Sequence, residues 1–118
     1  MIAGTGSGCG KTTVALAVLR AMQRRNIPLA AFKCGPDYID PMFHKAVLGI
    51  PSRNLDLFFI SEREVRGQIV RSIPQNGLGV IEGVMGFYDG VSGTTDTASA
   101  AHLARETGTP AILVVRPK

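Results

Sequence analysis

The sequence has 118 residues, the usual length of one domain, and 45% of them are hydrophobic, which is enough for a buried core. Its net charge is +4, and its basic residues are scattered along the chain apart from the adjacent Arg24 and Arg25. The sequence therefore indicates no nucleic-acid-binding patch. No apolar run approaches the roughly 20 residues of a membrane span. The two cysteines, Cys9 and Cys34, have neither metal-site nor secretory spacing. We therefore expect a cytoplasmic protein without a nucleic-acid or membrane partner.

A glycine-rich loop, GTGSGCGKTT at residues 4–13, follows a short first strand. Glycine tolerates positive φ, so this loop can turn backbone N–H groups toward a phosphate at a helix N-terminus. Lys11 can reach the β- and γ-phosphates, and the Thr12 hydroxyl can bind Mg²⁺. The usual motif has glycine where this chain has Thr5, and here the glycine comes one residue earlier, at Gly4. The loop predicts binding of ATP with Mg²⁺. The residues predicted to bind the nucleotide are Gly6, Ser7, Gly8, Cys9, Gly10, Lys11, Thr12 and Thr13.

Helical periodicity predicts a first helix over residues 11–25, followed by a buried strand at residues 29–32. The helical residues expected to face the sheet are Val14, Val18, Ala21 and Met22. A strand–helix–strand order predicts parallel pairing of these first two strands. A short helix is predicted at residues 42–48. Residues 53–60 fit either a short strand or an irregular excursion.

A capping box, Ser61 with Glu64, predicts a helix that runs to Ile73. A strand at residues 78–81, a helix at 99–107 and a buried strand at 111–115 complete the prediction. Gly108 is expected to close the last helix. The residues expected to be buried on the two helices are Val65, Ile69, Val70, Ile73, Ala100, Ala101, Leu103 and Ala104. Alternating strands and helices predict an α/β domain with three layers and a parallel sheet.

Two further segments place charged residues at the carboxyl ends of strands, where open parallel sheets bind ligands. The segment KCGPDYIDP (residues 33–41) holds one cation and two carboxylates, although Gly, Pro and Asp are also turn formers, and composition alone leaves both interpretations open. His44, on the short helix, is more often structural than functional in such a position. Glu82 ends a buried strand and precedes glycines, which suits an acid facing a metal ion or water.

Three segments in order, residues 4–13, 32–44 and 82–90, together resemble the N-terminal synthetase domain of the cobyrinic acid a,c-diamide synthase family. The second segment, FKCGPDYIDPMFH, is the most specific, and the resemblance covers essentially the whole chain. It implies a P-loop fold similar to that of dethiobiotin synthetase, whose phosphate loop also carries the early glycine. On this resemblance, residues 1–118 are the N-terminal part of a truncated P-loop ATP-binding synthetase domain.

The resemblance implies ATP- and Mg²⁺-dependent amidation of the a and c carboxylates of a corrinoid, cobyrinic or hydrogenobyrinic acid, through an acyl phosphate. The ammonia would come from glutamine, hydrolysed in a C-terminal amidotransferase domain. The resemblance implies that the catalytic residues are Lys11, Lys33 and Asp37. The implied metal-binding residues are Thr12, Asp37 and Glu82. The implied substrate-side residues are Tyr38, Asp40, His44 and Tyr88.

Two departures from the family pattern matter. A glutaminase of this class needs a cysteine nucleophile with a histidine partner, and neither Cys9 nor Cys34 is placed for that role. We therefore expect the amidotransferase domain to be absent and the isolated fragment to be inactive. The ending Arg116-Pro117-Lys118 also differs from the Asp-containing continuation expected after the last strand. An open sheet edge after Val115 would favour pairing with a second copy, giving a homodimer.

Three alternatives stand beside this interpretation. The chain could be a non-catalytic P-loop nucleotide-binding module, or another ligase similar to dethiobiotin synthetase. A stand-alone dethiobiotin synthetase would lack the GPDYIDP stretch. A partition or carrier-type ATPase would have lysine in place of Gly6, which argues against that class.

Overall fold

The computed structural model describes residues 1–35, 47–57, 60–90 and 98–117. Over these residues, strands and helices alternate along the chain. The strands are β1 (Ile2–Gly4), β2 (Leu29–Cys34), β3 (Ser52–Leu55), β4 (Leu78–Glu82) and β5 (Ile112–Val114). The helices are α1 (Lys11–Arg24), α2 (Glu62–Ser72) and α3 (Ala100–Thr107). Most of the short helix predicted at residues 42–48 lies outside the described residues.

The strands form one parallel sheet in the order β3-β2-β4-β1-β5. The predicted α/β fold with a parallel sheet is therefore confirmed. The predicted pairing of the first two strands is wrong, because β4 lies between β1 and β2. Helix α1 packs on β4 as well as on β1 and β2, so the crossover between the first two strands passes over a strand made later. Residues 53–60, left open between strand and excursion, contribute most of β3.

Side chains that alternate along β2 feed two cores on opposite faces of the sheet, which makes the three predicted layers. Phe32 belongs to the core on the side of α2 and α3, whereas its neighbour Ala31 belongs to the core on the side of α1. The first core comprises Ala30, Phe32, Cys34, Leu55, Val65, Ile81, Ala100 and Leu103. The second comprises Ile2, Ala15, Leu19, Ala31, Ile50 and Val80.

The buried faces of the helices agree only in part with the predicted stripes. On α1 the fully buried apolar residues are Ala15 and Leu19, and the predicted Ala21 is exposed. On α2, Val65 is buried as predicted, but Val70 is 77% exposed, because successive helical residues turn about 100° and Ile69 already faces the sheet. On α3 the predicted set of Ala100, Ala101, Leu103 and Ala104 is confirmed.

Two helix ends follow the predicted capping chemistry. The Ser61 hydroxyl accepts a hydrogen bond from the Glu64 backbone N–H at 3.2 Å and so begins α2. Ser99, predicted as the first helical residue, instead lies just before α3 and caps it, accepting from the His102 N–H at 3.1 Å. Gly108 ends α3 with φ +65°, the left-handed conformation that glycine adopts without steric cost.

Strand β5 is exposed at the edge of the sheet, where it pairs with β1. Ile112, Leu113 and Val115 are 62%, 49% and 62% exposed, so the prediction of a buried strand is wrong. The apolar run was correctly read as a strand, but burial depends on neighbours that the run itself does not specify. Within the described part of the chain, no helix has the length and apolar character needed to cross a membrane.

Candidate nucleotide-binding site

The glycine-rich loop connects β1 to α1 and contains two residues in the left-handed backbone conformation. Gly8 has φ +72° and Gly10 has φ +101°, conformations that residues with a Cβ rarely adopt. Gly10 is the N-cap of α1, and no side chain caps the helix there. The start of α1, at the positive end of the helix dipole, therefore has no cap from its N-cap side chain, although the Lys11 backbone N–H bonds the Cys9 thiol. This arrangement suits an anion such as phosphate.

Lys11 is the first residue of α1 and folds back along the loop. Its side chain is 8% exposed, and its Nζ donates a hydrogen bond to the Gly6 carbonyl oxygen at 2.8 Å. The Cys9 Sγ lies 4.0 Å from the same Nζ. The ammonium is thus already held at the loop, with backbone partners that a bound phosphate could replace.

The packing of this loop favours glycine at position 4. A Cβ at that position would overlap Cys9 Sγ and would lie 2.8 Å from Lys11 Cγ, closer than real Cβ contacts. The absence of a side chain at Gly4 therefore makes room for Lys11 and Cys9.

A cavity of about 270 Å³ opens beside the loop and is lined by Gly8, Gly10, Lys11, Thr12 and Thr13. Thr12 is half-buried and Thr13 is exposed. Small-molecule sites usually measure roughly 300–1,000 Å³, so this cavity is large enough for only part of such a ligand.

The thiol of Cys9 has an unusual environment. Burial is the largest single effect and raises its pKa, but hydrogen bonds from the backbone of Gly6, Lys11 and Thr5 and the positive charge of Lys11 together outweigh burial and lower the pKa below its ordinary value. The other thiol, Cys34, lies at the end of β2 and is 2% exposed. Burial, helped by the nearby Asp56 charge and opposed by Lys33, raises the pKa of Cys34 to about 12.

Lys33 and Glu82 meet at the carboxyl ends of β2 and β4, where the register pairs them directly. They are 3% and 1% exposed, and Lys33 Nζ lies 3.2 Å from Glu82 Oε2. Lys33 also donates to the Gly83 carbonyl oxygen at 3.0 Å. Glu82 is therefore not a solvent-facing acid at a strand end, and its carboxylate is held by a buried cation.

The segment after β4 is bonded to the strand that carries the phosphate loop. The Gly83 N–H donates to the Ile2 carbonyl oxygen at 2.7 Å, and the Phe87 N–H donates to the Gly4 carbonyl oxygen at 2.8 Å. Asp89 closes a turn in this segment, because its Oδ2 accepts from the Gly86 N–H at 2.8 Å. Consequently Glu82, at the head of the segment, is tied to the same strand end as the loop.

The predicted site residues divide into three groups by position. The loop residues 6–13 lie together, and the Lys33–Glu82 pair lies on the same carboxyl edge of the sheet. Tyr88 lies in the segment that bonds to Gly4 and is 68% exposed. Four predicted residues lie outside the described residues: Asp37, Tyr38, Asp40 and His44.

The pairing of Lys33 with Glu82 was not predicted. A sequence signal existed, since opposite charges each end an apolar strand, but the sequence does not specify the register that pairs them. Asp56, which follows β3 at the same edge and is 8% exposed, was also not among the predicted site residues.

A second polar cluster, between α2 and α3, is arranged as structural ties. His102 Nε2 lies 3.4 Å from Glu62 Oε1, and Glu106 lies close to both. His102 Nδ1 accepts a hydrogen bond from the Ala98 N–H at 2.8 Å, so a neutral His102 carries its proton on Nε2. A metal ion at Nε2 would have to displace that proton, so we interpret the cluster as a link between the two helices.

Comparison with protein families places this site in a known group. The model described as "CobQ/CobB/MinD/ParA nucleotide binding domain" matches residues 1–100. The chain belongs to this family. The match spans the glycine-rich loop, the first four strands of the parallel sheet and the acid that ends β4.

Within this family, the chain is similar to several curated proteins that share one name. Proteins named cobyrinate a,c-diamide synthase from Clostridium tetani and Salmonella typhimurium are 43% and 45% identical to the chain over 118 residues. The protein of that name from Clostridium acetobutylicum is 48% identical over 119 residues. Each alignment covers 100% of this chain and 26% of the relative. The chain thus spans about a quarter of the length of the relatives it matches.

Proposed function

We propose that this chain is the ATP-binding part of an amide ligase of the cobyrinate a,c-diamide synthase type. The observation that carries the proposal is the loop geometry, in which Gly8 and Gly10 turn left-handed and Lys11 is held over an uncapped helix start. Whole-chain similarity to proteins of that name supports the choice of reaction. The substrate proposed is cobyrinic or hydrogenobyrinic acid, and the carboxylates amidated are those of the a and c side chains.

In the proposed reaction, a substrate carboxylate oxygen attacks the γ-phosphorus of ATP and ADP leaves, which gives an acyl phosphate. Ammonia then attacks the acyl carbon, phosphate departs and a proton is lost, which gives the amide. A carboxylate is a poor electrophile, so the phosphoryl group supplies the leaving group that it lacks. The protein contributes mainly positioning and charge stabilisation in such transfers.

Lys11 and the N–H groups at the start of α1 neutralise the phosphates in this scheme. Lys33 steadies the acyl phosphate or the substrate carboxylate, with Asp37 proposed beside it. Tyr88 is exposed, as a substrate-side residue must be, and Tyr38, Asp40 and His44 are proposed on the same side. The strand order β2-β4-β1 supports placing the phosphate-binding and substrate-binding residues side by side. It sets the Lys33–Glu82 pair next to β1, the strand that precedes the loop.

The oxygen-bearing side chains at the site fit Mg²⁺. The Thr12 hydroxyl and the Glu82 carboxylate are the hard oxygen ligands that Mg²⁺ prefers, and Asp37 is the third proposed ligand. When bound, Mg²⁺ supplies positive charge to the phosphoryl oxygens. Glu82 lies at the carboxyl edge of the sheet, on the strand that pairs with β1, from which the loop begins.

The proposed ammonia source is glutamine, hydrolysed by an amidotransferase domain. Neither cysteine of this chain fits the nucleophile of such a domain. Cys9 lies in the phosphate loop, and Cys34 is buried with a raised pKa, which disfavours the reactive thiolate. We therefore expect this chain by itself to form no amide from glutamine.

Calorimetry with Mg²⁺·ATP tests nucleotide binding. Lys11→Ala should weaken binding by about 100-fold or more, since a charged hydrogen-bonding partner of the phosphates is lost. Arg24→Ala is the matched control, because it removes one exposed positive charge from the other end of α1. Equal affinities for the wild type and Lys11→Ala would contradict the proposal.

Mass spectrometry tests the reaction. The chain is incubated with corrinoid, Mg²⁺·ATP and either glutamine or ammonium, and mono- and diamide are measured. We expect no product with glutamine, and a diamide formed from it would contradict the assignment of the cysteines. We expect no product with ammonium either, and product formed with ammonium alone would exclude a non-catalytic nucleotide-binding module.

A further inference from the structure

The Lys33–Glu82 ion pair joins two side chains to which the proposed function gives different partners. Lys33 is proposed to act on an anionic substrate group, and Glu82 is proposed to bind a metal ion. In the structure they instead contact each other, at 3.2 Å and at least 96% buried. The pair sits where the two central strands β2 and β4 end, in direct register.

Both roles cannot be filled while the pair is intact. A divalent cation bound to the Glu82 carboxylate would stand next to the Lys33 ammonium, and like charges that close repel strongly in a poorly solvated site. An anionic substrate group next to Lys33 would likewise repel the Glu82 carboxylate. The metal ion and the anionic substrate group therefore each favour separation of Lys33 from Glu82. When one of them binds and separates the pair, the side chain needed by the other becomes available.

The local structure allows Lys33 to change partner without moving its strand. Its ammonium has three donors on a flexible four-carbon stem, and one donor is already used by the Gly83 carbonyl oxygen. Gly35, two residues on, has φ +83°, and its N–H donates to the Leu55 carbonyl oxygen at 2.8 Å, which fixes the backbone at the end of β2.

We propose that the Lys33–Glu82 pair is a partner-exchange switch that couples metal binding to substrate binding. Glu82 exchanges Lys33 for the metal ion that accompanies the nucleotide, and the Lys33 ammonium released in this way receives the acidic substrate group. Because coupling between two sites is reciprocal, the acidic substrate also strengthens metal binding. This inference rests on the proposed function, since it takes Glu82 as a metal ligand.

Nuclear magnetic resonance of the wild-type protein tests the exchange directly. The ammonium protons of the buried Lys33 are observed through ¹⁵N-labelled lysine in the free protein, with a non-hydrolysable ATP analogue, and with the analogue plus Mg²⁺. We expect the signal to persist with the analogue alone. With Mg²⁺ added, proton exchange with water should accelerate about tenfold or more, because the salt bridge no longer protects the ammonium. An unchanged Lys33 signal with bound analogue and Mg²⁺ would overturn the proposal.

Metal binding to the nucleotide-free chain provides a second test. Mn²⁺, which takes the same oxygen ligands as Mg²⁺, is titrated and its free fraction is measured by electron paramagnetic resonance. Lys33→Met should bind Mn²⁺ about tenfold more tightly than wild type, because a competing cation is lost, and Glu82→Gln should lose this binding. Arg53→Met is the matched control, since it removes an exposed cation from the neighbouring strand β3.

The outcomes separate this inference from the proposed function. If a folded Lys33→Met, checked by circular dichroism, binds Mn²⁺ no more tightly than wild type, the exchange is wrong even where ATP binding depends on Lys11. If the ATP analogue fails to bind the wild type, the proposed function fails, and the Mn²⁺ titration still decides whether Lys33 and a metal compete for Glu82.

Discussion

Removing one member of the Lys33–Glu82 pair should destabilise the fold far more than removing both. At 3.2 Å and an effective dielectric constant of about 20, the attraction is about 5 kcal/mol. Desolvation of two buried charges offsets most of it. Lys33→Met or Glu82→Met alone leaves the other charge buried without its counter-ion, which costs about 3–5 kcal/mol. The double variant places two apolar side chains of similar volume together, and we expect it to lie within about 2 kcal/mol of wild type.

Urea unfolding followed by circular dichroism measures these differences as a double-mutant cycle. A domain of this size has about 5–15 kcal/mol of stability, so a loss of 3–5 kcal/mol should remain measurable or show as an unfolded chain. Arg53→Met should change stability by less than about 0.5 kcal/mol, because its side chain is exposed. If the double variant loses as much as the two single variants summed, the pair contributes no coupling and the reasoning is refuted.

Other features give predictions of their own. Gly4→Ala should weaken Mg²⁺·ATP binding about tenfold or more in calorimetry, because its Cβ would displace Cys9 and Lys11; unchanged affinity would show that the loop adapts freely. Iodoacetamide at neutral pH should label Cys9 and leave buried Cys34 unlabelled in native protein, as peptide mass spectrometry would show, and labelling of Cys34 would contradict its burial. Burial raises the pKa of Cys34 from 9.0 to about 12, so its contribution to stability is complete below pH 9 and is lost as the pH rises toward 12. Cys34→Ala should flatten urea-derived stability over that range, and an unchanged slope would refute the assignment. Ile112→Lys on the exposed β5 should reduce any self-association seen by analytical ultracentrifugation, and the same dimer fraction in both proteins would exclude pairing through this edge.

Local chemistry made most of the fold predictable. Ser61 and Ser99 mark helix starts through bonds to residues three positions on, and Gly108 marks an end through its own φ angle. Each of these signals lies within one turn of chain, so the sequence alone contains it. The predicted buried faces of the helices were wrong where burial depends on which side packs against the sheet. Val70 is apolar and helical yet faces away from the sheet.

The candidate site was predictable wherever a contiguous motif carries it. Residues 4–13 predict a phosphate loop because the glycines, the lysine and the hydroxyl that such a loop needs all lie in one turn and the start of the helix that follows. The Lys33–Glu82 pair was not predictable, because it depends on β4 entering between β1 and β2 with one particular register. Opposite charges at two strand ends suggest a site, but only the register shows that they meet.

The position of β1 in the sheet determines when the phosphate loop can be completed during folding. Strand β1 precedes the other four strands along the chain, yet its neighbours are β4 and β5, which pair Ile2 with Glu82 and with Ile112. Contacts between such distant parts of a chain form slowly, whereas β2 and β3 are joined by a shorter connection. Strand β1 therefore cannot complete its pairing until β4 and β5 are available. A fluorescent nucleotide added during refolding would accordingly report completion of the sheet and not the initial collapse of the chain.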